Sequence, residues 1–215
     1  MKSISHEHGK INSKIVSKQI ISTVFLTILT LLTMESQAQT FKTIENKDLK
    51  LEVYNASENS FGVASVIVSG KKDAVLIDTQ FTLADAEKVA QEIKKSGKKL
   101  TTIFVSHGDP DFYFGLEVFK KYFPEVTAYA TPATIEHIKA TAQKKLDVWG
   151  ERLGKNITSN VILPQVLKGN SIELEGHHLE IVGLQEFPSQ TFVWIPSIKA
   201  VVGGINVFGT TFHLW

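Results

Sequence analysis

The sequence predicts an α/β fold in which helices cover sheets in layers. Short β-rich runs alternate with helical patterns in the first part of the chain, and the last part contains only strand-like runs. Hydrophobic residues make up 43% of the 215 positions, which is enough for a buried core and argues against a disordered or collagen-like chain. Because no repeat or flexible linker divides the sequence, a single domain is expected after the N-terminal segment.

The first half carries clear local signals. Residues 63–68 and 74–77 are β-rich runs separated by Ser-Gly-Lys-Lys-Asp, which predicts an antiparallel hairpin. A helix should follow, because Thr82 can cap its start, Asp85 completes a capping box and Gly97 can end it. The same reasoning predicts further strands at 101–105 and 126–130, and helices at 115–123 and from Thr131-Pro132 onward.

The second half has a different character. Four strand-like runs are predicted after residue 161, at 171–174, 179–182, 191–195 and 200–202. These strands would need helices over their outer face, and the sequence predicts none after them. We therefore expect this half of the fold to be incomplete in the 215 residues, and an incomplete reading frame is one explanation.

Composition excludes several classes of function. The chain has 23 Lys+Arg against 22 Asp+Glu, and Arg152 is the only arginine, so a basic surface for nucleic acid is not expected. There is no cysteine, which excludes disulfides, thiolate metal sites and cysteine nucleophiles. Any metal ion must therefore be bound by His, Asp or Glu.

Residues 1–38 have the composition of a signal peptide. Lys10, Lys14 and Lys18 precede an uncharged apolar run at 20–34, and Ser36-Gln37-Ala38 supplies small residues for cleavage. Cleavage after Ala38 would leave residues 39–215 as the working domain, in the periplasm or secreted, without stable membrane insertion. The alternative is an uncleaved membrane anchor, although the run is short for a spanning helix.

Residues 106–115, between the strand at 101–105 and the next helix, form the candidate functional loop. Open α/β sheets place ligand sites at such strand ends. His107, Asp109 and Asp111 alternate along the loop and can point to one side when it is extended, and Pro110 stiffens it. One imidazole and two carboxylates suit zinc, manganese or iron.

Two other interpretations of this loop remain open. Asp-Pro commonly starts a turn, so Asp109 could simply cap the next helix. An Asp-x-Asp pair can also hold a metal on a sugar-nucleotide phosphate, but a single arginine leaves little to bind the diphosphate.

Three motifs together resemble the metallo-β-lactamase-fold hydrolases. They are Ile77-Asp78-Thr79 at a strand end, Ser106-His107-Gly108-Asp109-Pro110-Asp111, and the segment from Trp194 to Gly204. The resemblance covers most of residues 39–215 and implies a four-layer αββα sandwich with one or two zinc ions at its edge. The resemblance also implies that the second half is incomplete in these 215 residues, because a final family histidine would be expected after Trp215.

The resemblance also implies roles for individual residues. The family loop reads His-x-His-x-Asp-His, so His107 matches the first ligand and Asp111 the acidic one, while Asp109 replaces a histidine. Glu186 lies where a later family histidine is usual and could ligate instead. Asp78 is expected to fix the loop by hydrogen bonds from outside the ligand set, or to be a strand-end turn residue.

The remaining candidates are weaker. Tyr113 could donate to a substrate oxygen, but packing under the loop is the favoured interpretation. His137 is expected on a helix surface, and His177 and His178 on a solvated strand. His213 could reach the site only if the terminal segment folds back.

The predicted function is a metal-dependent hydrolase of a small ester, lactone or amide, with a β-lactam possible. A metal-bound hydroxide would attack the substrate, with Asp109 as a ligand and Asp111 holding a second metal or orienting the hydroxide. The alternative is a non-catalytic or weakly active relative that only binds a ligand. The substrate, the metal ion and the oligomeric state are left open by the sequence.

Overall fold

The computed structural model describes residues 41–46 and 48–206, all within the compact unit Gln39–Trp215. The predicted signal segment at 1–38 and His213 lie outside the described residues. Within the described part, no helix has both the length and the apolar composition needed to cross a membrane.

The larger sheet has seven strands among the described residues, in the order in which they occur along the chain. The first four strands are antiparallel to one another, and the pairs from the fourth strand onward are parallel. The strands are β1 (Phe41–Glu45), β2 (Lys50–Asn55), β3 (Ala64–Ser69), β4 (Asp73–Ile77), β5 (Lys99–Phe104), β6 (Thr127–Ala130) and β7 (Gln165–Val166). The hairpin predicted from its turn residues is confirmed as β3 and β4, with Val66 paired to Ile77.

The first long helix begins and ends, and the last one begins, where their capping residues predict. The helices are α1 (Leu83–Ser96), α2 (Pro110–Tyr113), α3 (Leu116–Tyr122) and α4 (Pro132–Leu153). The Thr82 hydroxyl accepts from the Asp85 N–H at 3.2 Å, and Gly97 ends α1 in the left-handed region with φ 70°. The Thr131 hydroxyl caps α4 in the same way, at 3.1 Å from the Thr134 nitrogen.

The four strand-like runs predicted in the second half form a separate antiparallel sheet. Its strands are β8 (Ser171–Leu174), β9 (His177–Val182), β10 (Phe192–Ile195) and β11 (Ala200–Val202), ordered β11-β10-β9-β8. Apolar side chains of β3 and β4 alternate between the two faces of the larger sheet. Ile67 and Leu76 pack towards the helices, whereas Val66 and Ile77 pack against the second sheet.

The architecture is therefore a layered sandwich, with helices on one face of the larger sheet and the second sheet on its other face, as the resemblance implies. Residues 171–206 contain no α-helix, so the described part of the chain contains three of the four predicted layers. The elements missed from sequence are β1, β2, β7 and the short helix α2, which lies inside the segment expected to be an extended loop. Most side chains of β1 are exposed, so its sequence lacks the apolar alternation by which strands are recognised.

Glu175 joins turns from the two sheets. It lies in the β8–β9 turn with φ 51°, and its carboxylate accepts three backbone N–H groups from the β3–β4 turn. The donors are the nitrogens of Lys71, Lys72 and Asp73, at 2.8, 2.6 and 2.7 Å. These bonds, led by that from Asp73, lower the pKa of Glu175 to about 2.

Glu175→Gln is expected to lower the melting temperature at pH 7, because an amide replaces an ionised acceptor. Since the folded-state pKa is depressed, the stabilisation from Glu175 is present above the unfolded pKa of about 4.3. It is lost as the pH falls from there through about 2. The melting temperatures of wild type and variant should therefore differ at pH 7 and converge near pH 2. Glu173→Gln, at an exposed position of β8, is the control and should melt like wild type at pH 7. Equal melting temperatures at pH 7 would contradict this role.

Candidate functional site

The candidate loop follows the carboxyl end of β5 and is attached to both sheets. The Ser106 carbonyl accepts from the Thr191 N–H at 3.1 Å and from the Thr191 hydroxyl at 3.0 Å. His107 forms an isolated antiparallel bridge with Gln190. The loop therefore lies where the segment leading into β10 meets the end of β5.

Asp78 fixes the start of this loop through hydrogen bonds with Ser106. Its carboxylate, which is fully buried, accepts from the Ser106 N–H at 2.8 Å and from the Ser106 hydroxyl at 2.7 Å. The Gly204 N–H in turn donates to the Ser106 hydroxyl oxygen at 2.9 Å. Burial raises the pKa of Asp78 to about 7, although hydrogen bonds from Ser106 and Gly204 oppose the rise. Asp78 thus contacts the loop through Ser106, as a positioning residue would.

His107 is buried and neutral near pH 7. Its side chain is 6% exposed, and burial lowers the pKa of the ring to about 4. Nδ1 accepts from the Asp109 N–H at 3.1 Å, so in the neutral ring the proton lies on Nε2. The ring contacts Phe112 edge-on, with centroids 5.1 Å apart.

Asp109 is the centre of a charged cluster that the sequence did not reveal. Its Oδ1 accepts from the Lys145 ammonium and lies 3.6 Å from His137 Nε2, while its Oδ2 lies 3.5 Å from His107 Nδ1. Burial would raise the pKa of Asp109, but the hydrogen bond from Lys145 and the neighbouring charges lower it below its ordinary value. The expectation that His137 is simply a surface residue was incomplete. Its side chain is 41% exposed, yet its ring faces Asp109.

The cluster depends on how α4 packs against the loop. A Cβ on Gly108 would lie 2.6 Å from His137 Cδ2, so any larger residue at this position would force the His137 ring to shift. Asp109 stands at the N-cap position of α2, but its side chain makes no capping hydrogen bond. The side chain points to Lys145 instead, so the helix-capping interpretation of Asp109 does not hold here.

Asp111 and Tyr113 lie on the short helix α2. Among the described residues, no donor from another residue bonds the Asp111 carboxylate, and burial, followed by the nearby Asp109 carboxylate, raises its pKa to about 7. Tyr113 is buried, its ring contacts Phe114 at 5.1 Å, and its hydroxyl has no partner in the described part of the chain. Burial also raises the pKa of Tyr113.

Glu186, the remaining predicted ligand, has no polar contact with these residues in the described part of the chain. It is exposed in a turn after β9, and no hydrogen bond or ion pair within the described residues joins it to the loop. His177 contacts Ser197 at 3.1 Å and His178 is exposed, both on the second sheet. Of the predicted ligands, the structure thus brings His107 and Asp109 into contact and leaves Glu186 outside.

Comparison with known families identifies the fold. The model of the metallo-beta-lactamase superfamily matches residues 59–192, which include β3 to β9 and the whole loop. The chain belongs to the metallo-beta-lactamase superfamily. Members of this superfamily usually bind metal ions, often zinc, and the membership suggests metal-dependent hydrolase activity.

Solved metallo-beta-lactamase structures share the fold at low sequence identity. A metallo-beta-lactamase from Pontibacter korlensis is 18% identical with a TM-score of 0.52, and the match covers 75% of this chain and 70% of that one. VMB-1 is 15% identical with a TM-score of 0.54, covering 76% and 69%. IND-7 is 17% identical with a TM-score of 0.53, covering 77% and 71%. Comparison with curated protein sequences gave no significant match.

The donor chemistry at Asp109 fits the metal that the superfamily implies. Two imidazoles and a carboxylate face one another there, which are the ligand types that zinc prefers when cysteine is absent. A cation already stands at this position, the ammonium of Lys145. In their present arrangement, however, residues 41–46 and 48–206 contain no group of three or more acidic, His or Cys side chains placed to hold a metal ion.

His137 and Lys145 are the site residues that sequence reasoning missed. They are eight positions apart in α4, so they share one helix face, with Thr141 between them. That spacing was the available signal. It does not indicate which other element the face meets, and no local pattern places that face against the loop.

Proposed function

We propose that this protein is a metal-dependent hydrolase of a small ester, lactone or amide, with β-lactams among the candidate amides. The observation that carries the proposal is the proximity of the Asp109 carboxylate to the His107 and His137 rings and to the Lys145 ammonium, at the carboxyl end of β5. Superfamily membership supports the reaction class, and the likeness to solved metallo-beta-lactamases supports the fold.

We assign the metal-holding role to His107, Asp109 and His137, with Asp111 beside them. His137 replaces Glu186 in this assignment, because its Nε2 lies 3.6 Å from Asp109 Oδ1, whereas Glu186 is exposed and forms no hydrogen bond or ion pair with the loop among the described residues. Zinc is the favoured ion, in one or two copies, with manganese or iron as alternatives. When bound, such an ion polarises a scissile carbonyl and makes water a stronger nucleophile.

The protein's own residues prepare the site. Asp78 fixes Ser106 and so the start of the loop, and Gly108 allows the His137 ring to approach. The Asp111 carboxylate accepts no hydrogen bond from another described residue and is available to orient an attacking water. The burial of Tyr113 favours packing under the loop over substrate contact.

A second candidate function is a ligand-binding relative without catalysis. It is favoured by the ion pair between Lys145 and Asp109, which already neutralises the carboxylate that a metal would need. Such a protein would show saturable binding of a small molecule without turnover.

We also propose that the protein is exported. Residues 1–38 would be removed as a signal peptide, and residues 39–215 would act in the periplasm or outside the cell. The basic residues, apolar run and small residues of that segment support this proposal.

Asp109→Ala is expected to abolish zinc-dependent turnover of a panel of lactones, β-lactams and aryl esters. Wild type should melt at a higher temperature with zinc than with chelator, because a ligand at 100 times its Kd adds about 2.7 kcal/mol of stability. For a domain of this size that is on the order of 5–10 °C. Asp48→Ala, at an exposed position, is the control and should keep both properties.

Turnover and melting separate the two candidate functions. A zinc-dependent melting shift together with turnover supports the hydrolase, and saturable binding without turnover supports the binding protein. An unchanged melting temperature, combined with no metal by elemental analysis and no turnover, would overturn the hydrolase proposal.

A further inference from the structure

Lys145 is the one cationic side chain that penetrates the candidate site in the described part of the chain. Its ammonium donates to the Asp109 carboxylate, to the Gly108 carbonyl oxygen at 3.1 Å, and contacts His137 Nε2 at 3.2 Å. An ammonium has three N–H donors and no acceptor, so these three contacts use its full capacity. The side chain is only 18% exposed, unlike the typical solvated lysine.

The ammonium uses the lone pairs that a metal ion would need. Because Lys145 can only donate, His137 Nε2 must be the acceptor in their contact, and the neutral ring then carries its proton on Nδ1. Asp109 Oδ1 is likewise engaged by Lys145. A metal ion bound to either atom would compete directly with the ammonium, and the two positive charges would repel each other at this distance.

The contact is built into the fold. Lys145 is two helical turns from His137 on the same face of α4, and α4 is held at its start by the Thr131 cap. Gly108 provides the space in which this face approaches the loop. Lys145 also bonds the main chain of the loop at Gly108, so its position does not depend on one carboxylate alone.

We propose that Lys145 is an internal cation that occupies the candidate metal position and competes with the metal ion for Asp109 and His137. This inference rests on the proposed function, since it concerns the same site. The metal-free protein is stabilised by the ammonium, and metal binding requires the Lys145 side chain to swing away. The metal affinity of the wild type is therefore set by the exchange of one cation for another.

Lys145→Met tests the competition, because methionine keeps much of the length and the packing of the side chain but has no charge. The dissociation constant for Zn²⁺ should fall at least tenfold, measured by isothermal titration calorimetry on the full chain. The melting temperature of the chelator-treated variant should fall, because Asp109 loses its counter-ion, so the shift on adding zinc should be larger than in wild type. Lys144→Met removes the same charge from the neighbouring exposed position and should change neither quantity.

The outcomes are distinct. Tighter zinc binding together with a less stable metal-free form supports the competition, and a merely structural lysine would give only the second effect. If wild type and Lys145→Met bind Zn²⁺ equally well, the competition is overturned and the hydrolase proposal stands. If neither Zn²⁺, Mn²⁺ nor Fe²⁺ binds to either protein, both the competition and the hydrolase proposal fail.

Discussion

Asp78→Ala is expected to lower the free energy of unfolding by about 3–5 kcal/mol. The substitution removes the acceptor for the Ser106 N–H and hydroxyl, and each unsatisfied buried donor costs about 1–3 kcal/mol. Asp78 also has φ 61°, and a left-handed backbone costs alanine roughly 1–2 kcal/mol. Urea denaturation at pH 7 measures the change. Because Ser106 begins the site loop, zinc binding should weaken in parallel.

Asp78→Asn is the matched variant that separates charge from geometry. Asparagine tolerates positive φ better than most residues and keeps one side-chain oxygen to accept from Ser106. Since burial already raises the pKa of Asp78 to about 7, the protein gains little from its ionisation. We therefore expect Asp78→Asn to retain most of the stability that Asp78→Ala loses. If the two variants are equally unstable, or if Asp78→Ala matches wild type, this account of Asp78 is wrong.

Most of the fold could be predicted because its signals act over short stretches of chain. The Thr82 and Thr131 caps, the Gly97 stop and the turn between β3 and β4 each depend on a few neighbouring residues. The strand β1 was not predicted, because four of its five side chains are exposed and its sequence therefore lacks apolar alternation. Its place is determined by pairing with β2, such as Phe41 with Tyr54, and that pairing has no local signature.

The site was predictable only where its residues are sequence neighbours. His107 and Asp109 lie in one loop, and their contact follows from the loop's shape. Lys145 reaches Asp109 from 36 residues further along the chain, so its contact depends on the packing of α4 as a whole. Glu186 stays a predicted ligand that has no polar contact with the loop among the described residues. Its position relative to the family motifs suggested a ligand, but the turn after β9 leaves it exposed.

Gly115→Ala is expected to be the most damaging single methyl addition in the site loop. A Cβ at Gly115 would lie 1.8 Å from the Thr79 carbonyl oxygen and 2.8 Å from Ala86 Cβ. Thr79 cannot easily retreat, because its N–H donates to the Phe112 carbonyl at 2.9 Å, and the Gly115 N–H donates to Gln80 at 3.1 Å. Relieving the clash would break these two hydrogen bonds. We therefore expect the free energy of unfolding to fall by more than about 3 kcal/mol, in the range of severe core substitutions.

Gly150→Ala is the control. It shows whether the loss of stability comes from the crowded position of Gly115 or from replacing any glycine by alanine. Gly150 is inside α4, and a Cβ there would meet no atom within 4 Å. Alanine is the better helix former by about 1 kcal/mol, so this variant should match or exceed wild-type stability. Thermal and urea unfolding of the two variants should therefore change in opposite directions. If Gly115→Ala has the same melting temperature as wild type, the close approach between the loop and Thr79 is not a feature of the folded protein.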